Sequence, residues 1–578
     1  MALELIVDNK ANDRAVEPSP AEQKKAKVVD EMIRLGYESR RTMLGEQYFD
    51  EIRNFYNFTP SIRTANPSFR PKIRFADLQM LVLQEGADLS DNTPLIYIIH
   101  GDKRTGDREK ALRALWQAGG YNLQITYAVI MGLLTGTGFI QYQYNPAAYS
   151  GRGGVELQWL NPENVITDPW CTSSKDWEYV AIRYRMTYDE IRRRFKDGWR
   201  VVPTVGVTPN IANQMGYGSG NFNQTDAIQL PPGALRTVPI SGLGRAAPQG
   251  SPIVDFVFMH DSTRKKVRDD VAGGDDVFPE PATVPAYPTG RLIVRCNEII
   301  LYDGPNPYRK FPLVPIQMTP PLFGFWCPPP VRYALPFQQL AETAMSQVYE
   351  NQIRLNNGMV IVNRGSGLNK DRIRGLPGEL IEVDGMNAKD AVFLLSPAAF
   401  PDHYVTLPDK MLARVHSTFG STDSREGKAG AGNISVNLYE ASLSESQKLT
   451  RLRAKMLAQA ITDIAEGVYS TLIDYQLDSS FPLMEGGELS MVPWDAALPG
   501  EVNGWDVLID PSSIRPVSMA ARRSMVPVLR NMGMMSVKTG LKWLEIPDAE
   551  TIFKELATEA TMAAAQAEAR KGQKGGKK

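Results

Sequence analysis

The sequence predicts an α+β protein built from several units, and three observations carry that reading. Apolar residues recur at helical spacing over long stretches, above all from Asp107 to Leu134 and along a run that starts as early as Leu438 and reaches Leu472. Short aromatic and β-branched runs such as 139–144 and 253–259 stand between Gly and Pro signals, as strands do. The chain has 578 residues, 43% of them hydrophobic. At ~150 residues per domain that length corresponds to about four units.

Composition excludes several classes of function. Sixty-four Lys and Arg against 65 Asp and Glu leave a net charge of −1, so there is no basic excess of the kind a general nucleic-acid binder carries. The three cysteines, Cys171, Cys296 and Cys327, lie far apart and form no C-x-x-C pair, which favours a reducing compartment over a disulfide framework. The histidines His100, His260, His403 and His416 lack metal-ligand spacing. No cofactor and no metal are expected. The N-terminus has no basic region followed by an apolar core, and the apolar run 125–140 is broken by Gly132, Gly136 and Gly138, so neither a signal peptide nor a membrane span is expected.

In chain order, residues 1–20 read as disordered. A helix starts at Ala21, with Val28, Met32 and Leu35 on one face, and runs on through Ile52 and Phe55 to the Thr59-Pro60 stop. A second helix covers 75–83 and a buried strand 95–100. Asp107 to Leu134 reads as one long helix, weakened at Gly119-Gly120. Strands follow at 139–144, 155–160 and 177–186. Thr187 then caps a short helix, with Glu190 three residues on. Residues 196–250 read as a long surface insertion, 253–259 and 291–302 as strands, and 261–290 as the long tip of a hairpin.

The stretch 336–475 has the most distinctive pattern. A helix over 336–357 carries a narrow stripe of Leu340, Ala344, Val348 and Leu355 among many amides, including Gln338 and Asn351. A second helix, 406–419, repeats Leu407, Met411, Val415 and Phe419 every four residues. Between them lie three short strands, at 359–362, 379–383 and 392–395, and a basic tip of Lys370, Arg372 and Arg374. A Gly-rich loop over 420–433 holds Ser421, Arg425, Lys428 and Asn433. It lacks the order of a phosphate-binding loop. A long helix follows, striped by Leu449, Leu452, Met456, Ala460, Ile464, Val468 and Leu472. Residues 478–510 read as a polar turn region and the strand 505–509. Helices then run to Ala569, before a basic, disordered tail over 570–578.

Several segments, in order, resemble tailed-bacteriophage portal proteins, the head-to-tail connectors. Gly136-Thr137-Gly138-Phe139-Ile140 is similar to the glycine-led strand of their wing region. Asn161-Pro162 through Asp168-Pro169 is similar to their P-x-x-(V/I)-x-x-D-P segment, and 177–195 to the strand and helix after it. Pro312-Leu313-Val314-Pro315 precedes the 336–357 helix as it precedes the family's first stem helix, and 377–383 fits the clip. The resemblance implies a portal-like α+β ring subunit: wing 21–332, stem helix 333–357, clip 358–401, second stem helix 402–419, channel loop 420–436, long helix and closing strands 437–513, and crown 514–569. It implies a homo-oligomeric ring, usually dodecameric, at one capsid vertex of the virion, assembled in the host cytoplasm with the major capsid and scaffolding proteins. Double-stranded DNA passes through the ring during packaging and ejection. The terminase large subunit and later the head-tail adaptor proteins dock on the clip. On that reading Ser421, Arg425, Lys428 and Asn433 face the DNA, the alternative being a plain connector. Lys370, Arg372 and Arg374 form a docking tip, the alternative being a solvated turn.

Two other classes stand beside this one. An α/β enzyme needs a nucleophile or a paired acid and base, and no G-x-S-x-G, H-E-x-x-H or Cys/His signature is present, so the chain is expected not to be an enzyme. A different virion assembly or scaffolding protein would be smaller and more highly charged.

Overall fold

The structure, a computed structural model, describes residues 18–45, 47–57, 73–90, 94–100, 103–201, 252–266, 283–356, 359–362, 392–395, 402–420, 448–475, 479–485, 488–494 and 505–509, with isolated positions beyond 525. The fold is α+β. The chain divides into two compact units, the first made of Met1–Glu46, Glu85–Pro329 and Thr450–Lys578, the second of Gln47–Gln84 and Pro330–Leu449.

In the first unit, the helix Pro20–Leu44 opens on a reciprocal capping box. Ser19 Oγ accepts from the Glu22 amide, and the Glu22 carboxylate accepts from the Ser19 amide. It stops at Gly45, whose φ of +94° a residue with a Cβ adopts only at a cost. The single helix expected through Phe55 is therefore two, the second being Tyr48–Tyr56. Sequence periodicity continued across the break because only one residue type, the glycine, carries the stop.

The first helix covers a five-stranded antiparallel sheet. Across it the strands run Ile299–Pro305, Arg291–Cys296, Ile253–Met259, Tyr179–Arg185 and Val165–Thr167. Val29 and Ile33 of the helix meet Ile166, Tyr179, Ala181, Val257 and Ile293 in one apolar cluster. Along the central strands the residues of that cluster are two apart, the period of a pleated sheet. The same face carries charge. Arg295 Nη2 lies 3.1 Å from Asp255 and 2.6 Å from Asp30 of the helix, and its Nη1 donates to the Ala26 carbonyl. The expected strand over 291–302 is a hairpin, turning at Asn297 with φ +53°.

A second antiparallel sheet orders Leu313–Gln317, Thr137–Asn145 and Gly154–Leu160. The helix expected over 107–134 is two, Gly106–Ala118 and Tyr121–Thr135, because Gly120 takes a left-handed φ of +60°. The second of these lies against the Thr137–Asn145 strand so closely that a Cβ on Gly138 would sit 1.9 Å from the Ala128 carbonyl oxygen. Ile96–His100 pairs antiparallel with Trp505–Ile509. The region 478–494, expected as polar turns, is instead a hairpin of Ser479–Glu485 and Glu488–Trp494 with Phe481, Leu483 and Trp494 buried. Its inward residues alternate, but Pro482 and Pro493 masked the strand signal.

The second unit is led by the helices Pro330–Asn356 and Asp402–Phe419, which pack on each other. They start six and four residues ahead of the expected 336 and 406, with Pro336 and Pro408 inside them. Met359–Val362 pairs antiparallel with Val392–Leu395. The third expected strand, 379–383, lies outside the described residues, as do 202–251, 438–447 and nearly all of 514–578.

Candidate interaction surface

The residues chosen from sequence for DNA contact, Ser421, Arg425, Lys428 and Asn433, lie outside the described residues, and so do the docking candidates Lys370, Arg372 and Arg374. Among the described residues, the helix Pro330–Asn356 of the second unit presents several exposed apolar side chains.

One face of this helix is closed within the unit. Val331, Ala334, Gln338, Ala341 and Ala344 are buried. Three alanines on that face let neighbouring backbone come close, within the ~8–10 Å of packed helices. Polar residues four apart hold the segment that precedes the Asp77–Ser90 helix. Gln338 Oε1 accepts from the Leu78 amide at 3.1 Å, and its Nε2 donates to the Phe75 carbonyl at 2.7 Å and to Glu342 at 3.1 Å. Glu342 accepts from the Phe75 amide and Ser346 Oγ from the Ile73 amide. The ladder serves backbone groups that would otherwise go unpaired at a helix start. Gln338, one of the many amides on this helix, is buried and spent inside the unit. The signal that identifies it is the spacing Gln338, Glu342, Ser346 along one stripe of a helix.

The flanks of the helix are apolar and open. Tyr333 is 54% exposed, Leu340 49%, Tyr349 50% and Ile353 38%. At ~100° per residue, Tyr333 and Leu340 fall together to one side of the buried face, whereas Tyr349, in line with Val331, and Ile353 continue the azimuth of the closed face toward the C-terminal end of the helix, where they are open. Of the narrow stripe read from sequence, Leu340 is exposed, Ala344 is buried and Val348 half-buried within the unit, and Leu355 lies outside the described side chains. On Asp402–Phe419 the expected stripe is inward: Val415 and Phe419 are buried, Leu407 and Met411 half-buried. Arg332, exposed on this helix, lies over the Tyr48 ring at 5.8 Å, burial raises the Tyr48 phenol, and His416 Nε2 stands 3.6 Å from Asp77.

The long helix Lys448–Asp474 differs from its expected single stripe. Ala460, Ile464, Val468 and Leu472 are buried, but so are Leu457, Ile461, Ala465 and Tyr469, whereas Leu449 and Leu452 at its start are exposed. Its C-terminal half is a core helix. Charge inside the first unit is also structural: Arg453 Nη1 lies 3.0 Å from Glu85, which accepts from Thr450 as well.

Cys171, Cys296 and Cys327 are buried and free, and burial pushes each thiol up to about 12, away from a reactive thiolate. Among the described residues no group of three or more His, Cys, Asp or Glu could hold a metal ion, and no helix is long and apolar enough to cross a membrane.

No known protein family matches the chain, and no curated protein matches it. Among solved structures the chain is similar to one in the neck of an empty GTA particle computed with C6 symmetry. The two are 10% identical, with 82% of this chain and 89% of that chain covered, and the TM-score is 0.34.

Proposed function

We propose that the chain is a structural subunit of a tailed-phage portal, not an enzyme. Copies form a ring, dodecameric as the family resemblance implies, at one capsid vertex of the virion. Double-stranded DNA passes through it during packaging and ejection, and the terminase and head-tail adaptor proteins dock on the 358–401 region. The ordered sequence segments supply the family. The observation that supports the ring is two separate open apolar patches on Pro330–Asn356, Tyr333 with Leu340 on one side and Tyr349 with Ile353 toward its C-terminal end. Two different patches on one helix suit a heterologous, head-to-tail contact, which closes into a ring when its rotation permits. A two-fold dimer would need one self-complementary patch instead.

Sedimentation velocity and negative-stain imaging of the purified chain test this. Closed rings are the expected species, and L340E/Y349E reduces them to folded monomers. A native chain that remains monomeric at all concentrations, alone and with its capsid partners, overturns the reading.

A further inference from the structure

A second feature lies in the first unit and is independent of the ring. Between Tyr188 and Arg200 the chain holds five cations, Arg192, Arg193, Arg194, Lys196 and Arg200, against three acids, Asp189, Glu190 and Asp197. The helix Tyr188–Arg194 begins at Thr187, whose Oγ accepts from the Glu190 amide, and it anchors itself by Ile191, which is fully buried. Phe195 then packs on Phe256 of the five-stranded sheet. The helix end and its cations are therefore fixed on a rigid base.

Two of the cations are spent locally. Arg194 pairs with Glu190 at 3.1 Å, and Arg200 reaches back to Glu22 with two hydrogen bonds of 2.7 and 3.0 Å. Arg192, Arg193 and Lys196 are exposed and have no acid partner among the described residues; Arg193 Nε only donates to the Asp189 carbonyl. A helix C-terminus favours a cation. Arg194 already meets that need, and further unpaired neighbours repel one another. With those two pairs set aside, three cations stand beside two acids, Asp189 and Asp197, a small local positive excess in a chain of net charge −1.

We infer that Arg192, Arg193 and Lys196 form a contact for the phosphate backbone of duplex nucleic acid. Exposed cations bind a single small anion poorly in water. Against a polyanion each neutralised phosphate releases condensed counterions, so the same three residues become effective together. The planar guanidinium fork also matches phosphate oxygens two at a time. The contact reads no bases, so it is independent of sequence.

The test is fluorescence anisotropy of a labelled ~30-bp duplex with the full chain over a salt series. R192Q/R193Q/K196Q is compared with K24Q/K27Q/K110Q, which removes the same charge from exposed positions elsewhere. The inference expects the first variant to lose about tenfold in affinity at low salt and to flatten the log K against log salt slope by ~2–3, with the control near native. Equal losses in both variants, no loss in the first, or no duplex binding by the native chain overturns it. So does competition by polyglutamate as strong as by duplex, which marks an acidic-protein surface, or by millimolar inorganic phosphate, which marks a small-anion site. Ring assembly, followed in parallel by sedimentation, is expected to be unchanged in the first variant, so failure of this contact is separable from failure of the ring.

Discussion

Arg40, near the end of the first helix, donates a 2.9 Å hydrogen bond from Nη1 to the carbonyl of Val165, at the start of the edge strand of the five-stranded sheet. The same nitrogen serves the carbonyls of Pro162 and Glu163 at 3.0 and 2.9 Å, and Trp326 and Tyr37 rings lie beside the guanidinium. The Asn161–Pro169 segment, read from sequence as a family signature, thus has a physical role, because its turn offers three carbonyls to one buried cation. Burial pushes Arg40 down to about 10, so it remains charged at neutral pH.

Replacing Arg40 by Met is expected to lower stability by about 3 kcal/mol, since the carbonyls lose a charged donor and stay buried. Thermal unfolding checks this. Arg40→Lys keeps the charge but loses the planar group lying beside the Tyr37 and Trp326 rings, and is expected to recover less than half of the loss.

Gly138→Ala is expected to prevent folding of the first unit, because the new methyl would meet a backbone carbonyl at 1.9 Å. Gly132→Ala, whose nearest contacts are at 3.0 and 3.1 Å, serves as the milder comparison and is expected to give soluble protein with a lowered Tm. Equal solubility of the two would discount the close approach of helix and strand.

Removing one member of the Glu85–Arg453 pair leaves a buried charge without its ion-pair partner, and Glu85→Ala is expected to cost about 3–5 kcal/mol. The double variant E85M/R453M is expected to be more stable than either single change. Denaturant midpoints for all four proteins give the coupling; simple additivity would argue against it.

Acid stability offers a further check. The hydrogen bond from Arg200 holds Glu22 down at about 2, against 4.5 unfolded. A depressed carboxylate stabilises the fold fully above the unfolded value and loses that contribution as pH falls from 4.5 toward 2. The stability gap between native protein and Arg200→Ala is expected to close over that window, as measured by urea unfolding at stepped pH. A gap unchanged down to pH 2 would contradict the assignment.

Much of the fold is legible in the sequence, for reasons visible residue by residue. The strands 139–144 and 155–160 and the Thr187 cap are written in local chemistry, and the structure places them at Thr137–Asn145, Gly154–Leu160 and Tyr188–Arg194. Where a single glycine ends a helix, as at Gly45, periodicity runs through the break and hides it, whereas the Gly119-Gly120 pair marks its break in the sequence. Where strands carry prolines, as at Pro482 and Pro493, composition imitates a loop. Long-range partners are the least legible. Nothing local in Gln338 says that it closes on Phe75 and Leu78, and nothing in Arg40 points to Val165. The narrow stripe on Asp402–Phe419 was readable because its contacts follow one helix face, but the outward turn of Leu340 depends on where the neighbouring segment docks.

The Gln338–Leu78 bond joins residues 260 positions apart. At ~5–20 residues per second of synthesis, the 73–78 segment leaves the ribosome roughly 13–50 s before its clamp exists. Through that interval the amides of Ile73, Phe75 and Leu78 and the apolar side of their helix have no permanent home. The second unit is therefore late in its timing even though its Gln47–Gln84 part is made early. The nascent chain carries a vulnerable segment that a holding chaperone, or slow translation ahead of Pro330, is placed to affect.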